Sequence, residues 1–259
     1  MSETHIRYVS RACVALGLLL GACTPTPKPL GIADQIKSLP SASTETIFGD
    51  GGKTMFNMAA LLKAFTAYCA QTGCDPNDLL GRTTFIDGPD PSKLHKMVTD
   101  PTTNPSKMTI YNYPIDKCNV MHEAAHLEVT PRSAPQELGG VLGIPGDIRF
   151  DGFAMTALSI DKNKGSLTGL EEATADAIAL GIGQTSGERC DVGYGDSGYL
   201  ILAVAEKKSI SFNDLVTLHK TSDLIGFLAK LTGSNDLATN FNFFMKFYSL
   251  VEEVKSGKI

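Results

Sequence analysis

The chain has 259 residues, 42% hydrophobic and 20% charged, with a formal net charge of −5. An acidic balance without a basic block argues against nucleic acid as a partner. The length suits one sizeable domain, or two lobes sharing a site, and past the N-terminal segment the longest apolar run, "YLILAVA", is far too short to span a bilayer.

In chain order, Arg7 and Arg11 precede the apolar stretch "VALGLLLGA", and Cys23 follows at once. A basic region, a short apolar region and small residues at a cleavage point predict a signal peptide over residues 1–22. The stretch "LGAC" resembles a bacterial lipobox, which implies that Cys23 is acylated and that the chain is an exported lipoprotein held at a membrane by acyl chains. Thr24 rather than Asp after the cysteine implies, by the same resemblance, the outer membrane of a diderm, facing the periplasm or the cell surface. Ordinary secretory cleavage and a frayed, buried N-terminal helix are the other readings. "TPTPKPLG" is a Pro-rich tether, so residues 23–45 are expected to be a flexible link and 46–259 the folded domain.

"TMFNMAALLKAFTAYC" places Met55, Met58, Ala59, Leu62, Phe65 and Cys69 at helical spacing. From Asp75 to Pro105 the chain is broken by Asp, Pro and Gly, with one strand candidate, "TTFID". "KMTIYNYP" alternates and reads as a strand ending at Pro114, the expected edge for an extended peptide. No Gly or Pro interrupts Ile115 to Thr130, which predicts a helix. Pro131 to Gly152 reads as loop and "FAMTALSI" as a strand. "SLTGLEEATADAIALGIG" opens with a capping box, Thr168 and Glu171, and has Gly181 and Gly183 as stops. Helical segments follow from about Gly198 to Lys207, from Ser211, and toward Val254. The layout is α+β: a small mixed core, then a helical C-terminal part.

Six cysteines are present. Cys13 leaves with the signal peptide and Cys23 carries lipid, so Cys69, Cys74, Cys118 and Cys190 remain for an oxidising compartment. Four allow three pairings. Cys69–Cys74 is the best local pair, closing a helix end onto "QTG", and Cys118–Cys190 would then tie the two motif segments together. A Cys₄ zinc site lacks the paired knuckles and ranks below disulfides.

The chemistry is concentrated in "NVMHEAAHLEV". His122 and His126 stand at i and i+4, one above the other on a helix, where two imidazoles can hold a zinc ion from one turn. Glu123 beside them could act as general base for the water that such an ion makes acidic. The blander reading is two polar residues that recur on one helix face. The segment "HEAAHLEVTPR" lacks the metzincin continuation, so a third ligand must come from elsewhere. "LEEATADAIAL" offers Glu172 as that ligand and Asp176, one turn on, as acceptor for the free ring N–H of a ligand histidine. Glu171, about 100° round the same helix, is expected to face elsewhere and to serve the cap alone.

Together "HEAAH" and "EATAD" resemble the gluzincin zinc metallopeptidases, nearest to the prenyl-protein proteases and their periplasmic, often lipid-anchored bacterial relatives. The likeness covers about Asn112 to Gly183 and rests on two motifs in the right order. It implies a zincin-like core with a small sheet and an active-site helix, one Zn²⁺ held by His122, His126 and Glu172, Glu123 as base, Asp176 behind a ligand histidine, and a peptide or protein substrate. The family's downstream His-Pro with a nearby arginine is missing from "LHKTSD", leaving His219, Tyr194 and Tyr199 as alternative oxyanion donors. The rival from another class is a non-catalytic lipoprotein that binds a partner and carries a structural or vestigial zinc site.

Overall fold

A computed structural model of the chain describes residues 32–39, 46–48, 57–88, 90, 92, 97–100, 105–111, 114–144, 146–157, 166–191 and 196–258. The expected signal peptide, Cys23 and the expected tether up to residue 31 lie outside the described residues. The rest of that tether is not a free link: Ile32–Ser38 form a helix whose Ile36 is buried in the core and whose Lys37 pairs with Asp196 at 2.8 Å, so the folded part begins before residue 46. In chain order the elements are α1 (Ile32–Ser38), β1 (Thr46–Phe48), α2 (Met58–Thr72), α3 (Pro76–Gly81), β2 (Thr83–Asp87), β3 (Met97–Asp100), β4 (Ser106–Ile110), β5 (Ile115–Asp116) and α4 (Lys117–Leu127). They continue with β6 (Arg132–Ser133), α5 (Gln136–Leu142), β7 (Ile148–Asp151), β8 (Ala154–Ala157), β9 (Ser166–Leu167), α6 (Gly169–Thr185), α7 (Ser197–Lys207), α8 (Phe212–Lys220), α9 (Leu224–Thr232) and α10 (Leu237–Lys255). Helices dominate and the sheets are small, so the α+β reading holds at that level.

The core is built around α6. Its residues from Ala173 to Gly183 are buried without a break, as expected of a helix that is apolar on every side. Helix α4 crosses one flank and α7 another, and α2 and α10 also pack on it. Small side chains make these approaches close: Ala124 and Ala125 on α4 are fully buried. On α7, a Cβ at Gly198 would lie 2.8 Å from Cβ of Asp176. Only glycine lets α7 seal that face of α6.

Helix α4 starts where its chemistry says it should. The Asp116 side chain accepts from the Cys118 and Asn119 amides while the Asn119 side chain accepts from the Asp116 amide, a capping box that satisfies orphan donors at both ends of the first turn. Just inside it, Cys118 is bonded to Cys190, with Cα atoms 5.5 Å apart. An ion pair between Lys117 and Glu188 runs beside that bond. Cys69 and Cys74 form the second disulfide, with Cα atoms 4.5 Å apart around the left-handed Gly73 that ends α2. Both expected pairings are present.

Several expectations need correction. Helix α2 exists, but it is rotated from the predicted face: Leu61, Ala64, Phe65 and Tyr68 are inside, while Met58 and Leu62 are exposed. The 131–152 loop contains β6, α5 and β7, because two short antiparallel pairings and a helix of about two turns tolerate its glycines and prolines. Strand β4 ends at Ile110, not Pro114, and it is not an edge. It lies between β2, parallel to it, and β3, antiparallel, in the order β2-β4-β3. Gly181 and Gly183 do not stop α6, which runs on to Thr185. Among the described residues no helix is long and apolar enough to cross a membrane.

Candidate metal centre

Helices α4 and α6 bring His122, His126 and Glu172 together. Nε2 of His122 lies 3.2 Å from Nε2 of His126, and Oε2 of Glu172 lies 3.3 Å from the first and 3.6 Å from the second. Ligands 2.0–2.1 Å from a tetrahedral zinc stand about 3.3–3.4 Å apart, the edge of that tetrahedron. The three observed separations bracket that edge. Among the described residues His122, His126 and Glu172 are also the only group of three or more such side chains placed so that they could hold a metal ion, and the donor set fits zinc in type and in spacing.

The outward nitrogens are occupied. Nδ1–H of His122 donates to Oδ1 of Asp176 at 2.6 Å, and Asp176 is wholly buried on α6. That bond places a ring hydrogen on Nδ1 and leaves Nε2 facing the other two donors. Glu123 follows His122 on the buried side of α4. Its Oε2 is out of solvent with no hydrogen-bond partner, while its backbone carbonyl accepts from Oγ1 of Thr99 on β3 at 3.4 Å. A buried carboxylate oxygen left unmatched is costly.

Burial and neighbours set the charges. Burial pushes the His122 imidazolium down, but the hydrogen bond and charge of Asp176, with Glu172 behind them, outweigh it and lift the group to about 10. Burial likewise disfavours charge on His126, and Glu171 and Glu172 together raise it well above its ordinary value. For Glu172 burial is again opposed, here by hydrogen bonds to both histidines, which hold its carboxyl far below the usual range. Glu123 goes the other way: burial raises it and the two imidazoles only partly offset this.

The sharpest departure from the sequence reading is Glu171. It caps nothing: Thr168 makes no side-chain bond at the start of α6. It does not face away either. Its Oε1 accepts from Nδ1 of His126 at 2.9 Å and from Nε2 of His219 at 2.8 Å, and its Oε2 from the Phe153 amide at 2.6 Å. Burial would raise its carboxyl, but His219 and His126 hold it down to about 2. Its substitution is therefore not the silent control that the capping reading implied. A signal for this was present, since a helix apolar on all sides has no exposed face on which an acid could sit.

Of the expected oxyanion donors, His219 and Tyr199 make their contacts elsewhere than at the three ligand atoms. His219 is fully buried on α8 and reaches the centre only through Glu171. Tyr199 is on α7, its ring under Nζ of Lys37 at 4.5 Å. Burial leads the causes that hold its phenol up at about 12. Tyr194 lies outside the described residues. No protein-family model, no curated protein and no solved structure matches this chain.

Proposed function

We propose that the chain is a zinc-dependent metallopeptidase with a zincin-like core, exported and anchored to the bacterial envelope by acyl chains on Cys23. The observation that carries this reading is the convergence of three donor atoms at the spacing of a tetrahedral zinc, with the unmatched Oε2 of Glu123 in the same buried patch. His122, His126 and Glu172 would hold the ion. Zinc supplies a Lewis acid that polarises a peptide carbonyl and makes water acidic near neutral pH.

The chain's own residues supply the rest. Asp176 holds His122 by Nδ1, which keeps that ring's tautomer and direction fixed. Glu123 takes the proton of the attacking water and hands it to the departing amine. Its raised pKa makes its carboxylate a stronger base than an exposed one. For the substrate, the edge is β3 rather than β4, since β3 pairs with β4 alone among the described strands and packs against α4. An extended peptide laid along β3 would gain main-chain hydrogen bonds beside the helix that carries the site.

The test is metal content together with hydrolysis of a peptide library, on wild type and on Glu123→Gln. The variant should keep one zinc per chain and lose activity by about 10² or more, because the amide keeps the shape and cannot take the proton. Unchanged cleavage by Glu123→Gln would remove the mechanism. Zinc without cleavage by the wild type would instead make the chain a binding lipoprotein.

A further inference from the structure

Resting on the metal-centre reading above, we infer that Glu171, backed by His219, is the positioning residue of His126. It holds that imidazole by Nδ1 and aims Nε2 at the metal, as Asp176 does for His122. One helix then carries all three acids of the centre: Glu172 as ligand, and Glu171 and Asp176 each behind a different ligand histidine.

The argument is geometric. An ionised carboxylate only accepts, so both imidazole nitrogens at Oε1 of Glu171 must carry hydrogen. For His126 this puts the hydrogen on Nδ1 and frees Nε2. For His219 it puts a hydrogen on Nε2, the ring nitrogen that faces the carboxylate. The clamp also has a built back wall. The Phe153 ring packs edge-on to the His219 ring, with centroids 5.7 Å apart. Gly152, just before Phe153, donates its amide to Oγ of Ser222, which in turn donates to the Thr130 carbonyl. Glu171 thus joins α4, α6, α8 and the β7–β8 turn at a point where one ligand nitrogen is set.

A purely structural carboxylate would stabilise the fold without touching the metal, and the experiment separates the two roles. In the full chain, zinc affinity is measured by competition with a chromophoric chelator, and the Co²⁺-substituted protein is read by its visible ligand-field spectrum. In Glu171→Gln the amide NH₂ must face either the two imidazole hydrogens or the Phe153 amide, and even where its oxygen stays on His126 the charge that strengthened that bond is gone, so His126 is held less firmly. Zinc affinity should fall by about 10–100-fold, with one metal per chain retained and the cobalt bands displaced. His219→Phe, which keeps a ring against Phe153, should shift both readouts in the same direction by less. If Glu171→Gln does not fold, Glu171→Asp decides: it keeps the charge, cannot reach all three donors, and should also weaken zinc and move the bands. Wild-type affinity and spectrum in the folded Glu171 variants, whatever their melting temperature, would overturn the inference while leaving the metal centre standing. Wild-type values in His219→Phe would remove His219 from it. A wild-type chain that takes up no zinc would sink the metal reading and this inference together.

Discussion

Replacing Gly152 by alanine should damage the protein far more than an ordinary turn glycine would predict. The residue has φ +60, and a Cβ built on it lies 2.2 Å from Oε2, 2.6 Å from Cδ and 2.7 Å from Oε1 of Glu171. The left-handed backbone costs an alanine roughly 1–2 kcal/mol. The carboxylate must also withdraw, and losing its bond to the Phe153 amide alone, a hydrogen bond to a charged group, adds roughly 1.5–3 kcal/mol. The total is about 2.5–5 kcal/mol, a large part of the roughly 5–15 kcal/mol that holds a typical domain folded. Gly187 is the matched control, with φ +73 and nothing within 4 Å of its Cβ, so Gly187→Ala should lose the backbone term only. Urea unfolding followed by circular dichroism on both variants measures the difference, and suits a chain without tryptophan. Equal losses in the two variants would refute the claim that Glu171 is held in place against this turn.

Each of His122→Ala, His126→Ala and Glu172→Ala should strip zinc from the purified protein, because three ligands cannot be cut to two without large loss; retention of one metal per chain by any of them would exclude that residue as a ligand. The disulfides close loops of very different size, with separations of 72 and 5 residues. Chain entropy assigns about 4 kcal/mol to Cys118–Cys190 and about 2 kcal/mol to Cys69–Cys74, so paired Cys→Ser variants should differ by that ratio in unfolding free energy. In protein stripped of metal, His122 lies at about 10 against an ordinary 6.5, so its contribution is complete below pH 6.5 and is lost as the pH rises through about 10. Glu171 lies at about 2 against an ordinary 4.5, so its contribution is complete above pH 4.5 and is lost as the pH falls through about 2. Stripped protein should therefore be most stable between pH 4.5 and 6.5; stability still climbing above pH 7 would contradict this.

What could be read from the chain alone was whatever is local. His122, Glu123 and His126 share one turn, and Asp116 with Asn119 caps it, so the helix and its chemistry are visible within a dozen residues. Asp176 betrayed itself by its apolar neighbours. Glu171 misled because Thr168 three positions before it offers a local bond, while its actual partners lie 45 and 48 residues away. A pattern of adjacent residues cannot weigh a capping bond against a tertiary one. The central position of β4 was hidden for a similar reason. Its alternation is the same for an edge or a middle strand, and its parallel partner β2 is separated from it by β3 in the sequence. The face of α2 was misjudged because Met58 and Leu62 keep the helical spacing, although Leu61 and Tyr68 are the residues that meet the core.

The bond between Cys118 and Cys190 makes a covalent ring of the chain that contains His122, Glu123, His126, Glu171, Glu172 and Asp176. A protease that cuts the backbone once anywhere inside that ring opens it without releasing a fragment. The donor atoms on α4 and α6 stay on one molecule, held by packing and by sulfur. A nicked chain would run as one species on a non-reducing gel and as two after reduction, with His122, His126 and Glu172 still on one molecule. Wherever a protease meets the chain, that topology separates the lifetime of the site from the lifetime of the intact backbone.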